Sequence, residues 1–259
     1  MQAEQSPDGG PEEARIRHLA DALRAVTQQA VSAEEAPAAL CRACTELLPV
    51  SGASVSLSTG GMTHALWYAS DDIAARLAEA QYTLGDGPCR IASILAAPVL
   101  ADDLAGGPDA RRWPVFAHQA VDLGVRAVFS LPLGAGGLTI GTLDLYSRNA
   151  GPLSERDTHA ALLLRDAITF AVLKLPTRNG IPWGEGDEGV ASWVEAAEAD
   201  HAEVHQAVGM VMIQLSGSAE QALDRLRARA FAQGRSVTEV ARDVVARSLR
   251  FRPEDDQEQ

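Results

Sequence analysis

Arginine is the residue type whose spacing in this chain most invites a chemical reading. Arg225 and Arg229 stand four residues apart on the face of a helical segment opposite its apolar stripe, where guanidinium planes can pair with phosphates or stack on unpaired bases. The same pattern is also that of an ordinary solvated helix face. Around them, Arg227, Arg235, Arg242, Arg247, Arg250 and Arg252 outnumber Asp224, Glu239 and Asp243, whereas the segment just before carries Glu195, Glu198, Asp200 and Glu203. The whole chain has a formal charge of −13, which argues against non-specific polyanion binding. Its cationic end therefore has to act locally.

Other reactive residue types are sparse. Cys41, Cys44 and Cys89 make an odd cysteine count, which fits a reducing compartment better than a disulfide framework. Cys41-Arg-Ala-Cys44 lacks the second pair or the His cluster of a zinc site, and helical spacing makes buried thiols the simpler reading. The loop Gly85-Asp-Gly-Pro-Cys89 is not a phosphate loop: the chain's only lysine is Lys174, and Pro88 removes a backbone donor. It reads as a tight turn opening a helix at Pro88, with Cys89 either a ligand attachment or redox point or a small buried thiol. Trp113, Phe116 and Tyr146, with Arg126, Ser130 and Asp144, have the mixture of aromatic walls and a few polar groups that a small-molecule pocket requires, and equally that of a core. His64, His118 and His159 are scattered, so neither a metal nor a haem site is expected. No nucleophile elbow, metalloprotease, kinase or nucleotide-binding signature is present. A non-enzymatic protein is expected, with no cofactor beyond an unidentified small-molecule ligand.

The elements that must position the arginines are three short helices between Val190 and Phe251. Ser218-Ala-Glu-Gln221 and Ser236-Val-Thr-Glu239 are capping boxes. Each helix carries an apolar stripe: Val204, Ala207, Val208, Val211 and Leu215; Ala219, Ala222, Leu223, Leu226 and Ala230; Val237, Val240, Ala241, Val244 and Phe251. Gly209, mid-helix at a cost of about 1 kcal/mol relative to Ala, suggests a close helix crossing.

Ala207-Val-Gly209-Met-Val-Met212, Ala222-x-x-x-Leu226-Arg227 and Glu239-Val-Ala241-x-x-Val244-Val245 resemble the ANTAR domain of bacterial antitermination regulators. The resemblance implies a dimeric three-helix domain that binds paired RNA stem-loops in nascent transcripts, with Arg225, Arg227, Arg229, Arg235 and Arg242 as its RNA contacts. At Val208 this chain is apolar where the family commonly has Lys. A DNA partner is not expected, because the helices flanking Gln233-Gly234-Arg235 offer no Asn/Gln-rich base-reading face.

Upstream, the pattern alternates between periods. Ala53-Ser-Val-Ser-Leu-Ser predicts a half-buried strand, Met62 to Ala69 its hairpin partner, and Ala97–Ala101, Val125–Leu133 and Leu138–Ser147 further strands. Asp71–Gln81, Trp113–Leu123 and Ser154–Leu173 predict helices, the last so apolar that more than one side must be covered, by the sheet and a partner chain. The fold class is α+β. Gly85 to Cys89, Pro98 to Asp103, Trp113 to Ala117, Gly124 to Leu133 and Ile140 to Tyr146 are similar to the GAF domains of actinobacterial regulators, which implies an antiparallel sheet flanked by helices, a ligand-binding or dimerising role, and a familiar pairing with ANTAR. Cys89, Trp113, Phe116, Arg126, Ser130, Asp144 and Tyr146 are the candidate ligand residues.

The expected organisation is a disordered leader (1–10), an amphipathic helix Pro11–Val31 and GAF domain within 11–173, a Pro/Gly linker (174–189), the ANTAR module (190–252) and an acidic tail (253–259). No apolar run reaches the roughly 18 residues of a membrane span and the N-terminus is polar, so a cytoplasmic homodimer without membrane contact is expected. The expected function is an RNA-binding antiterminator under GAF control. The alternative is a GAF sensor or scaffold whose C-terminal helices bind protein.

Overall fold

The computed structural model describes residues 36–58, 64–135, 138–174 and 202–252. The expected helix Pro11–Val31, the linker beyond Lys174, the opening of the C-terminal module and the acidic tail lie outside the described residues.

Five strands, β1 (Gly52–Ser58), β2 (His64–Ala69), β3 (Val99–Ala101), β4 (Ala127–Ala135) and β5 (Leu138–Ser147), form one antiparallel sheet in the order β2-β1-β5-β4-β3. Its two faces differ in chemistry because residues directly opposite each other in antiparallel strands share a face. Ala53, Val55, Leu57, Phe129, Leu131, Leu143 and Leu145 make one face wholly apolar, and helices α1 (Ala36–Leu47) and α6 (Glu155–Lys174) pack on it. Cys41 and Cys44 are buried there as free thiols, and burial pushes Cys41 up to about 12.

The opposite face carries the rows Ser54–Asp144–Ser130 and Ser56–Thr142–Pro132. Ser54 and Ser56 are 2% and 4% exposed, so β1 is not the half-buried strand its alternation predicts. Polar residues on one side of a strand ordinarily mean solvent; here helices α2 (Asp72–Leu84) and α3 (Pro88–Leu95) cover them.

Local chemistry places those helices. Asp71 caps α2 by accepting from the Ile73 and Ala74 amides at 2.9 Å and also accepts from the Tyr146 hydroxyl at 3.1 Å, tying the helix start to β5. The joint between α2 and α3 needs positive φ at Gly85 (63°) and Gly87 (133°), conformations that glycine adopts readily, and Pro88 then opens α3 as expected. The predicted helix Trp113–Leu123 forms as α5 (Pro114–Asp122), preceded by a short helix, α4 (Gly107–Arg112), that the pattern did not indicate. Trp113 has φ −130° and ψ 65°, because a residue preceding proline is pushed out of the helical region.

Helix α6 buries one stripe, Ala161, Leu164, Ile168 and Val172, with Leu162 and Leu163 partly covered beside it. Phe170 is 54% exposed, so within one chain the helix is covered on the sheet side.

The C-terminal helices are α7 (Ala202–Leu215), α8 (Ala219–Gln233) and α9 (Val237–Val245). Both capping boxes form, with Ser218 and Ser236 each accepting from the third helical amide and Gln221 and Glu239 accepting from the cap amide. Val204, Ala207, Val211, Ala222, Leu226, Ala230, Val237, Val240, Ala241, Val244 and Phe251 close the core.

Gly209 does not mark a close crossing. It is exposed, and a Cβ added there would have nothing within 4 Å. Gly141 is the opposite case, because a Cβ would overlap the backbone carbonyl oxygen of Ser56 across the sheet. Gly209→Ala should therefore stabilise the chain by about 0.5–1 kcal/mol while Gly141→Ala destabilises it by about 1–3 kcal/mol or more. Denaturant midpoints of the two variants check this. A destabilising Gly209→Ala would show that its surface is covered in solution.

Candidate functional site

Beneath α2 and α3 the sheet's polar face converges on Asp144. Its carboxylate is 7% exposed, between Ser130 and Thr142, both fully buried. Gln81 reaches it from α2, and Cys89 stands at the start of α3, where its amide donates to Gln81 Oε1 at 2.8 Å. Burial pushes the Asp144 carboxyl up to about 7, while Ser130, Gln81 and Thr142 draw it part of the way back. Among the described residues, neither carboxylate oxygen completes a hydrogen bond of regular geometry, and the same holds for Ser130 Oγ and Thr142 Oγ1. Buried polar atoms in that state cost on the order of 1–3 kcal/mol each, so the cluster can present a donor and several acceptors to a small polar ligand. The Cys89 thiol is pushed well above its ordinary range by burial and by Asp144, which keeps it a thiol rather than a nucleophilic thiolate.

Three of the expected ligand residues, Cys89, Ser130 and Asp144, are thus brought together. The other four are not. Trp113 and Phe116 are buried in the core between sheet and helices, with the Arg112 guanidinium 4.7 Å from the Trp113 ring centre. Arg126 pairs with Asp103 at 2.8 Å near the surface, and the Tyr146 hydroxyl is engaged by Asp71. Gln81 and Thr142 were missed by the sequence reading. Gln81 had a signal, since it continues the buried series Ala74, Leu77 and Ala78 at helical spacing; a glutamine on an apolar stripe needs an internal partner.

The five expected RNA-contacting arginines occupy different settings. Arg242 is exposed and its Nε donates to Glu203 Oε2 at 2.8 Å. Arg235 pairs with Asp243 at 2.7 Å, and Arg229 lies 6.0 Å from the Phe251 ring centre. Arg225 is partly exposed, whereas Arg247 and Arg250 are exposed. Arg227 points the other way. Its side chain is 12% exposed, and its Nε donates to the carbonyl of Tyr82 at 3.2 Å.

That bond belongs to a direct contact between the two halves of the chain. Tyr82 is buried within the core of the C-terminal helices. The Val237 amide, at the start of α9, donates to Thr83 Oγ1 at 3.1 Å, and the Thr238 hydroxyl donates to Glu79 Oε1 at 3.3 Å. Gly85 completes the fit, for a Cβ there would stand 2.8 Å from the Arg227 guanidinium. The two halves thus pack together along the last turn of α2, whereas the linker between them lies outside the described residues.

The chain thus combines a five-stranded antiparallel sheet covered by helices with a capped three-helix module. The family model for the GAF domain matches residues 20–172 and that for the ANTAR domain residues 194–245; the chain belongs to the GAF domain family and ends in an ANTAR domain. ANTAR domains are a family of RNA-binding antiterminators, and both domains are regulatory rather than catalytic. Among solved structures, the GAF domain of a phosphoenolpyruvate-protein phosphotransferase from Coxiella burnetii is 14% identical, with TM-score 0.49, covering 63% of this chain and 95% of that one. A domain of a sensor histidine kinase protein from Sinorhizobium meliloti is 18% identical, with TM-score 0.46, covering 56% and 92%. A GAF sensor protein from Burkholderia vietnamiensis is 16% identical, with TM-score 0.46, covering 66% and 94%. No curated protein matches this chain. Among the described residues no helix is long and apolar enough to cross a membrane.

The Asp144 carboxyl gives a pH test. Its folded pKa, about 7, lies above the ordinary carboxyl value, so the native state holds its proton more tightly than the unfolded chain. The stability from that proton is complete below the unfolded pKa and is lost as pH rises through about 7. Asp144→Asn should therefore gain stability relative to the parent between about pH 5 and about pH 8, by about 1.4 kcal/mol for each unit of pKa elevation traversed. Urea midpoints of both proteins at the two pH values measure it; a difference independent of pH would mean that Asp144 titrates as an exposed carboxyl.

Proposed function

We propose that this protein is a cytoplasmic RNA-binding regulator of the antiterminator type, in which the GAF domain senses a small ligand and controls an ANTAR module that engages RNA stem-loops as a homodimer. The observation that carries the reading is the ANTAR domain itself. Its three helices share a buried core, and the arginines of α8, α9 and the following turn lie outside it. Arg225, Arg229, Arg235 and Arg242 are the proposed phosphate and base contacts, and Arg227 joins them when the module leaves α2. Cys89, Ser130 and Asp144, with Gln81 and Thr142, are the proposed polar part of the GAF ligand site.

A protein-docking role for the C-terminal helices is the second reading, favoured by Ile213 and Phe231, which are 84% and 59% exposed. The two differ in salt response, because phosphate contacts release counterions from the nucleic acid and docking of apolar side chains does not.

Gel-shift titration of the full chain against a transcript carrying tandem stem-loops, at two salt concentrations, separates them. The parent should bind more weakly at the higher salt, and Arg225→Ala/Arg229→Ala should bind weakly at both, with the salt slope reduced by about one for each phosphate contact removed. Absence of binding even at low salt would move the assignment to protein docking.

A further inference from the structure

Where the ANTAR module meets the GAF domain, α2, α3, α7 and α8 leave a cleft of about 380 Å³, within the size range of small-molecule sites. Tyr82 from the GAF side and Val204, Val208 and Leu223 from the ANTAR side make its walls apolar. Two guanidiniums complete it, Arg90 from α3 and Arg227 from α8.

The charge on Arg227 is poorly matched by its surroundings. The side chain is 12% exposed, and among the described residues its one paired carboxylate is Asp224, at 3.7 Å and itself 68% exposed. Burial lowers the Arg227 pKa from its ordinary value and the like charge of Arg90 acts in the same direction, while Tyr82 and Asp224 offset part of the shift without cancelling it. A largely buried cation with a cationic neighbour and a distant, hydrated counter-charge is costly unless something neutralises it. Glu220, the other acid of the cleft, is exposed to solvent, so neither carboxylate fills the interior.

We infer that this interdomain cleft is a binding site for a small organic anion, a carboxylate or phosphate on an apolar body, whose charged group bridges Arg90 and Arg227 while its body lies against Tyr82, Val208 and Leu223. Such a ligand contacts both domains at once, so it tightens their packing and holds Arg227 away from RNA. This last consequence rests on the RNA-binding reading, whereas the binding itself does not.

Calorimetric titration of the intact chain with phenyl phosphate tests the site without RNA. Saturable one-to-one binding is expected, with benzyl alcohol silent and inorganic phosphate much weaker. Arg90→Gln should weaken binding by about tenfold or more, the loss of one charge-assisted hydrogen bond, and Val208→Glu, which places a carboxylate on the apolar wall, should abolish it; circular dichroism checks that both fold. The site is overturned by absence of saturable binding, by equal affinity for inorganic phosphate or benzyl alcohol, or by affinity unchanged in both folded variants. In a parallel gel shift, saturating phenyl phosphate should weaken stem-loop binding by the parent and leave Arg90→Gln less affected. Unchanged RNA affinity in the parent would overturn the regulatory consequence, and absence of RNA binding without ligand would overturn the RNA reading while the titration still decides the cleft.

Discussion

Three hydrogen bonds between the two domains gather at the end of one helix. On α2, Glu79, Tyr82 and Thr83 stand at i, i+3 and i+4 and so share a face, and that face receives Arg227, Val237 and Thr238 of the ANTAR module. Gln81 lies on a different face, in series with Ala74, Leu77 and Ala78, and turns inward to the Cys89 amide and Asp144. One turn therefore touches both the polar floor of the GAF sheet and the effector helices. Gln81, Tyr82 and Thr83 are consecutive on this turn, so a displacement of its backbone moves the contact with the polar cluster and the contacts with the effector helices together.

The energetics suit an element with more than one state. The polar cluster holds carboxylate and hydroxyl oxygens without regular partners, and burying such atoms opposes folding. The interface adds one neutral hydrogen bond, from Val237 to Thr83, worth about 0.5–1.5 kcal/mol net, two with a charged partner, Arg227 to Tyr82 and Thr238 to Glu79, worth about 1.5–3 kcal/mol each, and the insertion of Tyr82 into an apolar core. It also holds a largely buried guanidinium facing a like charge. Favourable and unfavourable terms of similar size leave the docked arrangement responsive to a modest ligand or pH change.

Much of the architecture could be read from local chemistry. The capping boxes at Ser218 and Ser236, the turn before Pro88, the strand Leu138–Ser147 and the helical stripes depend on residues near in sequence, and they fold as their spacing predicts. What escaped depends on what covers a residue. Ser54 and Ser56 read as solvent-facing because nothing in β1 says that α2 and α3 lie above it. Gly209 reads as a packing position because a mid-helix glycine costs about 1 kcal/mol relative to Ala, yet nothing among the described residues lies close enough to need its missing side chain. Of the candidate ligand residues, Ser130 and Asp144 are legible as the few polar groups of an aromatic-walled pocket and Cys89 by its place after the Gly85–Pro88 turn, but the aromatic walls of the same pattern, Trp113 and Phe116, serve the core. Arg227 read as one of a set of surface arginines, since its phase on α8 carries no trace of a second domain more than a hundred residues upstream.

The claim on which the account turns is that the ANTAR module packs on α2 in the intact protein. Hydrogen exchange at the Val237 amide reports this directly. As one of the first amides of α9 it has no partner within its own helix, and its hydrogen bond is to Thr83 Oγ1 on the other domain. The amide should be protected in the intact parent chain, and Thr83→Val, which keeps the shape and removes the acceptor, should speed its exchange while the interior amides of α9 stay protected. Exchange at the unprotected rate in the parent, beside a protected α9 interior, would contradict the docked arrangement and with it the coupling of sensor to effector through α2.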